Sequence, residues 1–87
     1  MPVVFIPTQL RNLTGGESRV VVEGGFVRDV IDALDRRFPG IKERLCRGDS
    51  LMPGLQVCID DAITTRGLRT PVEAESEVHF LPAIGGG

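Results

Sequence analysis

The 87-residue sequence contains no tryptophan or tyrosine, one histidine and only two cysteines. One histidine excludes, by counting, a catalytic triad or a zinc site built from several imidazoles. Cys46 and Cys58 form no Cys-x-x-Cys pair and have no histidine at metal-ligand spacing. We therefore expect two reduced thiols and no metal site, with a disulfide between the two cysteines as the alternative.

Long apolar runs and a strong charge of one sign are also absent. The longest apolar run is a few residues, far short of the roughly 20 that cross a bilayer, and no charged-then-apolar leader opens the sequence. A net charge of −2 provides no basic surface for nucleic acid or for an anionic membrane. We therefore expect a cytoplasmic protein with neither of these partners.

The size of the chain limits its chemistry. Eighty-seven residues suffice for one domain with one core, which leaves little room for a deep substrate cleft. The 41% apolar content is too high for a disordered chain and ordinary for a globular domain. We therefore expect a folded domain that is not an independent enzyme.

Hydrophobic periodicity places the elements. β-Branched and aromatic residues predict a strand over 3–6, and alternation of apolar and polar residues predicts strands over 19–23, 55–59 and 77–81. A tight reversal at Asp60-Asp61 predicts a further short strand over 62–64. Apolar residues at positions 27, 30, 31, 34 and 38 predict a helix over 27–38, with a further short turn over 41–45. Asp32 and Arg36 are spaced as a helical ion pair, and residues 47–54 are predicted to form a loop.

This order of elements indicates the fold. A hairpin, a helix and three further strands can form one mixed sheet, because a right-handed crossover brings a later strand parallel to the first. We predict an α+β fold of the ubiquitin-like β-grasp type, with a mixed five-stranded sheet and one main helix packed on one face. Residues 1–82 would form this domain, and residues 83–87 a flexible glycine-rich tail.

The tail has a composition that suggests chemistry. The glycines have no side chains to pack, and the residues from Pro82 onward could reach about 20 Å when extended. Such a tail can enter a tunnel that any Cβ would block. Its carboxylate is a poor acyl donor, so a partner would have to convert it to a mixed anhydride, for example by adenylation. A sulfur nucleophile would then give a thiocarboxylate. The tail residues are Ala83, Ile84, Gly85, Gly86 and Gly87.

Three stretches together resemble the MoaD/ThiS family of ubiquitin-like sulfur carriers. They are the opening Phe5-Ile6-Pro7-Thr8 with Thr14-Gly15-Gly16, the helix over 27–38, and the ending Leu81-Pro82-Ala83 with Gly86-Gly87. The opening segments are most similar to the branch that supplies sulfide for cysteine biosynthesis.

The resemblance implies a role for the tail and a set of partners. Gly87 would be adenylated by an E1-like enzyme that uses ATP, and then converted to the thiocarboxylate. A synthase would accept the sulfur, a metalloprotease would trim or release the tail, and no cofactor would be bound. Gly85 departs from the family, in which many members carry a small residue other than glycine at that position.

The open face of the sheet is the predicted partner-binding surface. By alternation, the helix side of the sheet carries Val4, Ile6, Val20, Val22, Leu55, Val57, Ile59, Val78 and Phe80. The alternative to an interaction surface is that the exposed apolar residues are merely scattered, or that the phase of the first strand is inverted. Arg11 matches a recurrent basic position of the family, and packing of its stem over the hairpin is an equal alternative. The open face carries Val3, Phe5, Val21, Cys58, His79 and Leu81.

Other functions remain open at this stage. Gly87 could form isopeptide bonds with target lysines, which would make the chain a protein modifier, with Lys42 as its only own lysine. The glycines could also be inert in a non-covalent β-grasp binding module. A persulfide carrier that uses Cys46 or Cys58 is the least favoured, because neither thiol has a setting that lowers its pKa.

Overall fold

The computed structural model describes residues 1–82, and the predicted tail over 83–87 lies outside the described residues. Two helices, α1 (Val27–Arg37) and α2 (Ile41–Leu45), follow the first two strands. The strands are β1 (Val3–Phe5), β2 (Arg19–Val21), β3 (Cys46–Arg47), β4 (Ser50–Leu51), β5 (Leu55–Ile59), β6 (Ala62–Thr64) and β7 (Glu77–Pro82). Short 3₁₀ helices lie at Thr8–Leu13 and Gly67–Arg69.

The predicted mixed five-stranded sheet is confirmed, in the order β2-β1-β7-β5-β6. Strand β1 is antiparallel to β2 and parallel to β7, while β5 is antiparallel to both β7 and β6. The parallel pair forms because the chain crosses over through α1 before it returns in β7. The last described strand therefore lies at the centre of the sheet.

Helix α1 forms where the apolar spacing predicted it. Its apolar side chains are buried at Val27, Val30, Ile31 and Leu34, each at most 1% exposed. Full burial of such a side chain contributes about 1.5–3 kcal/mol, so this face holds the helix on the sheet. Beyond the helix, Gly40 takes a left-handed φ of 101°, and the predicted short turn is confirmed as α2.

The core lies between the sheet and these helices, on the side that alternation assigned. Val4, Val57 and Val78 are fully buried, and Leu55 and Ile59 pack against the core as partly buried side chains. The phase of the first strand is therefore the predicted one, and the other sheet face is open.

Three local predictions were wrong. Strand β1 is shorter than the predicted 3–6, because the chain turns into the 3₁₀ helix at Thr8. Strand β2 is shorter than the predicted 19–23, because its partner β1 begins at Val3, which pairs with Val21. The loop over 47–54 contains a hairpin, in which β3 and β4 pair around a Gly48 with a φ of 61°. Asp32 forms an ion pair with Lys42 of α2, instead of the predicted one with Arg36, because α2 packs against α1.

The Thr14-Gly15-Gly16 segment closes the first hairpin. The Thr14 side chain is buried, and its hydroxyl lies 2.8 Å from the carbonyl oxygen of Glu17 and 3.1 Å from that of Arg11. Gly15 and Gly16 have φ values of 68° and 91°, which glycine adopts without strain. The segment that carried the family resemblance therefore builds a turn.

The β5–β6 hairpin turns at two aspartates, as predicted. Asp60 and Asp61 both have positive φ values, 49° and 70°, as a two-residue turn of the I′ type requires. The Asp60 carboxylate also accepts the amide hydrogen of Glu77 at 2.8 Å. This turn fixes the register of the sheet edge relative to β7.

Candidate functional site

The tail begins at the end of the central strand. Strand β7 runs to Pro82, which pairs with Leu55 of β5, and the Phe80 side chain is buried in the core at 4% exposure. On its other side β7 is paired with β1 only as far as His79. The sheet thus holds the chain in a fixed position as far as Pro82. We call Pro82, the last residue before the tail, the root of the tail. The predicted tail residues, from Ala83 to Gly87, lie beyond the described part of the chain, so their roles stay predictions.

One residue from each strand of the five-stranded sheet contributes to a row across its open face. The paired registers place Phe5 opposite both Arg19 and His79, and Cys58 opposite both His79 and Ile63. The Phe5 and His79 rings are stacked, with centroids 4.1 Å apart and planes 6° apart. The Arg19 guanidinium lies 6.0 Å from the Phe5 ring centroid, within cation–π range. The row runs Arg19, Phe5, His79, Cys58, Ile63.

The predicted surface residues therefore share one face, but they differ in access. Val21 is 50% exposed and Leu81 39% exposed, while Val3, Phe5 and His79 are half-buried. Cys58 is only 8% exposed, because it lies in the interior of the row between His79 and Ile63. Its prediction as a contact residue is corrected: the Cys58 side chain offers little surface to a partner.

Ile63 was missed in the sequence, although it is 60% exposed on the same face. The signal was available. A two-residue turn at Asp60-Asp61 places Ile59 opposite Ala62, which puts Ile63 opposite Cys58. The open face therefore carries an apolar side chain near each edge, Val21 on β2 and Ile63 on β6.

Arg11 has an internal contact. Its Nε donates a hydrogen bond to the carbonyl oxygen of Ile6 at 3.1 Å, and the side chain is half-buried. This bond links the first 3₁₀ helix to the end of β1. The structure thus favours the packing alternative for Arg11. A groove of about 330 Å³ lies beside it, lined by Phe5, Ile6, Pro7, Thr8, Gln9, Arg11, His79, Phe80 and Leu81.

The two thiols are free and buried, as expected of reduced cysteines. Cys46 is 7% exposed, and burial raises the pKa of its thiol from an ordinary 9.0. A persulfide carrier needs an accessible thiol with a lowered pKa, so this setting disfavours that function.

Within residues 1–82 there is no cluster of three metal-ligating side chains, and no helix of that region is long and apolar enough to span a bilayer.

Together, a β-grasp sheet and a sequence that continues from its central strand into three glycines define the chain as a ubiquitin-like protein. The profile of the ThiS family matches residues 4–87. The chain belongs to the ThiS family.

Relatives of known sequence and structure agree. The chain is 36% identical to "Sulfur carrier protein CysO" of Mycobacterium tuberculosis (strain ATCC 25618 / H37Rv), over 97% of this chain and 96% of the relative. A crystal structure of the Amycolatopsis orientalis BexX/CysO complex matches with a TM-score of 0.90, 36% identity and full coverage of both chains. SAMP1 from Haloferax volcanii matches with a TM-score of 0.72 and 25% identity, over 99% of this chain and 98% of that one.

Proposed function

We propose that this protein is a sulfur carrier whose terminal Gly87 carboxylate is converted to a thiocarboxylate. The observation that carries the proposal is the family match, which extends over the β-grasp domain and through the glycines to residue 87. The similarity to a sulfur carrier protein over almost the full length of both chains supports it.

The proposed chemistry has two steps, both performed by a partner. A carboxylate oxygen of Gly87 attacks the α-phosphorus of ATP, pyrophosphate leaves, and an acyl-adenylate forms. A sulfide equivalent then attacks the acyl carbon, a C–S bond replaces the C–O bond, and AMP leaves. The resulting thiocarboxylate is a strong nucleophile, which can pass its sulfur to an electrophilic acceptor. The ATP belongs to the activating enzyme, and the carrier holds no cofactor.

In this reaction the chain itself would provide a tail with few side chains, attached to a fixed point at the end of β7. Pairing of Pro82 with Leu55 and burial of Phe80 support the root, so the reach of the tail is set by the residues after Pro82. Ala83, Ile84, Gly85 and Gly86 would enter the partner's active site. A tail with few side chains fits a channel that excludes bulkier sequences, which would select this chain end for activation.

The open sheet face is the proposed docking surface for the activating enzyme. Val21 and Leu81 contribute exposed apolar area, and the stacked Phe5 and His79 rings give a preorganised centre with few rotamers to freeze. Val3 completes this surface between Val21 and the β7 strand. An exposed apolar area of this kind is typical of interaction sites.

The remaining partners are those that the family resemblance implies. The similarity to the mycobacterial sulfur carrier CysO supports cysteine biosynthesis as the pathway that uses the sulfur. An E1-like enzyme would load the carrier, a sulfur-accepting synthase would unload it, and a metalloprotease would trim or release the tail. We place these steps in the cytoplasm.

A second candidate function is conjugation to proteins. Its support is the likeness to SAMP1 from Haloferax volcanii at 25% identity; the name SAMP1 stands for small archaeal modifier protein 1. The same acyl-adenylate would then react with a lysine of a target instead of with sulfide. The two functions share every step up to the adenylate and differ in the nucleophile that follows.

Intact-mass spectrometry after incubation with the activating enzyme, ATP and sulfide tests the proposal. The expected product carries one sulfur in place of one oxygen, and the exchange maps to the peptide that ends at Gly87. A variant that lacks Gly86 and Gly87 is the control and should remain unchanged. If the full chain keeps a plain carboxylate while the enzyme converts another carrier, the proposal is wrong.

A further inference from the structure

A chain whose C-terminus is activated can acylate other copies of the same chain. In the proposed function, on which this inference rests, Gly87 becomes an acyl-adenylate, and any nucleophile on a copy of the same chain could capture it. Of the ten Lys and Arg residues, only Lys42 is a lysine. Arginine stays protonated in proteins and does not accept acyl groups under these conditions. Lys42 is thus the one side-chain amine, and Cys46 and Cys58 are the two thiols.

Lys42 is accessible but paired. Its side chain is 47% exposed, so burial does not protect it. Its Nζ donates a hydrogen bond to the Asp32 Oδ1 at 2.7 Å, across the contact between α2 and α1. Any protection of this amine from acylation has to come from the ion pair.

The backbone around Lys42 is held so that the pair forms. The Asp35 Oδ1 accepts the amide hydrogens of Gly40 and Lys42, both at 3.1 Å. These bonds anchor the start of α2 to α1, one turn beyond Asp32. Asp35 therefore positions Lys42, while Asp32 binds its ammonium group.

The chemistry of acylation explains why the pair matters. Attack on an acyl-adenylate requires the neutral amine. A C–N bond forms, the C–O bond to AMP breaks, AMP leaves, and the nitrogen releases a proton to water. The hydrogen bond that Lys42 donates to Asp32, together with the charge of Asp32, raises the pKa of Lys42, which reduces the neutral fraction.

The two thiols are protected from acylation by burial and not by an ion pair. Cys46 and Cys58 are 7% and 8% exposed, so packing keeps both sulfur atoms from a bulky acyl donor. The three side chains most able to capture an acyl group are thus either buried or ion-paired.

We propose that Asp32 is a specificity-determining residue that slows the reaction of Lys42 with the acyl group of an activated copy of this chain. With both thiols buried, these three side chains then compete poorly with sulfide for the electrophile that the family chemistry creates. Sulfide or a lysine of another protein remains as the acceptor.

The first test uses a simple amine-reactive acyl donor, N-hydroxysuccinimidyl acetate, on the full-length protein. Peptide mapping by mass spectrometry follows acetylation at Lys42 separately from the α-amino group. Removal of an exposed ion pair should make Lys42 in Asp32→Asn react about twofold to fivefold faster than in the wild type. Asp29→Asn is the matched control, because it removes the same charge from the same helix without touching Lys42. Equal rates at Lys42 in all three proteins would overturn the proposal.

The second test uses the activating enzyme and ATP without sulfide. Asp32→Asn should accumulate dimers joined through Gly87 and Lys42 about twofold to fivefold faster than wild type, while Asp32→Asn with Lys42→Arg should lose them. Lys42-linked dimers formed equally well by wild type would contradict the proposal. Because acetylation needs no activating enzyme, failure of the proposed function leaves the first test decisive.

Iodoacetamide tests the thiols. We expect alkylation of Cys46 and Cys58 in the unfolded chain and at least tenfold slower alkylation in the native protein. Native alkylation at the unfolded rate would overturn the part of the proposal that concerns the cysteines.

Discussion

Phe5 and His79 lie side by side on parallel strands, with their rings stacked at a centroid distance of 4.1 Å. The stack joins β1 to the central strand on the face opposite the core. Three residues further along the same strand, the chain reaches Pro82 and the root of the tail. A partner that docks on this stack, as we propose, would bind close to the residue after which the tail begins.

Val21 provides a test of that surface. At 50% exposure, Val21→Asp should leave the free energy of unfolding within about 0.5 kcal/mol of wild type. It should raise the KM for activation about tenfold, because a charge would be buried in an apolar contact. The measurement is pyrophosphate release by the activating enzyme.

Ser50→Asp is the control for Val21→Asp. Ser50 is exposed in the separate β3–β4 hairpin, so the same charge change there should not alter activation. If both variants behave like wild type, the enzyme does not dock on the open face near β2.

Gly24 is required by the close approach of the chain to α1. A Cβ added there would lie 2.7 Å from the Val30 Cγ2 and 2.8 Å from the Val30 backbone nitrogen. Gly24→Ala should therefore destabilise the domain by about 1–3 kcal/mol in chemical denaturation. Gly25→Ala is matched in sequence and has no atom within 4 Å of its added Cβ. Equal stabilities of the two variants would show that the helix start relaxes without cost.

Burial of Cys46 predicts a pH dependence of stability. Because burial raises the pKa of this thiol from 9.0, the unfolded chain loses the proton at a lower pH than the folded chain does. The contribution of Cys46 to the free energy of unfolding is therefore constant below about pH 8 and falls as the pH rises through the ordinary thiol pKa. Denaturation of wild type and Cys46→Ala between pH 7 and 10 measures it. The wild type should lose more stability over that range, and parallel curves would contradict the prediction.

The tail glycines provide a matched pair. Gly86→Ala adds a Cβ at the second glycine of the terminal pair and should reduce kcat/KM for adenylation on the order of tenfold to a hundredfold. Gly85→Ala makes the same change at a position where the family resemblance implies that a small side chain is tolerated, and we expect near wild-type activity. The reverse order of the two effects would place the narrow part of the channel at Gly85.

The sequence predicted the elements that depend on one repeating pattern. The apolar face of α1 and the alternation in β5 placed the core on the correct side of the sheet. The β3–β4 hairpin was missed because its strands, Cys46–Arg47 and Ser50–Leu51, are too short for a period to appear. Asp32 was assigned to Arg36 by helical spacing, and only the packing of α2 showed Lys42 as its partner.

The candidate surface was predicted in part for the same reason. Alternation gives the face of a side chain but not its depth, so Phe5 and Cys58 were assigned together although Cys58 is covered by its neighbours. Ile63 depended on the register that the Asp60-Asp61 turn imposes. The role of Gly87 came from the resemblance to the family, and residues 1–82 do not test it.

The most direct test of the central claim is the intact mass of the protein purified from its native host, with fragmentation of the peptide that ends at Gly87. The account predicts that a fraction of the chains carries sulfur in place of one terminal oxygen, and that this fraction disappears when the gene for the activating enzyme is deleted. The cells must make the activating enzyme and be supplied with sulfide. If every chain from such cells ends in a plain carboxylate, the account is contradicted.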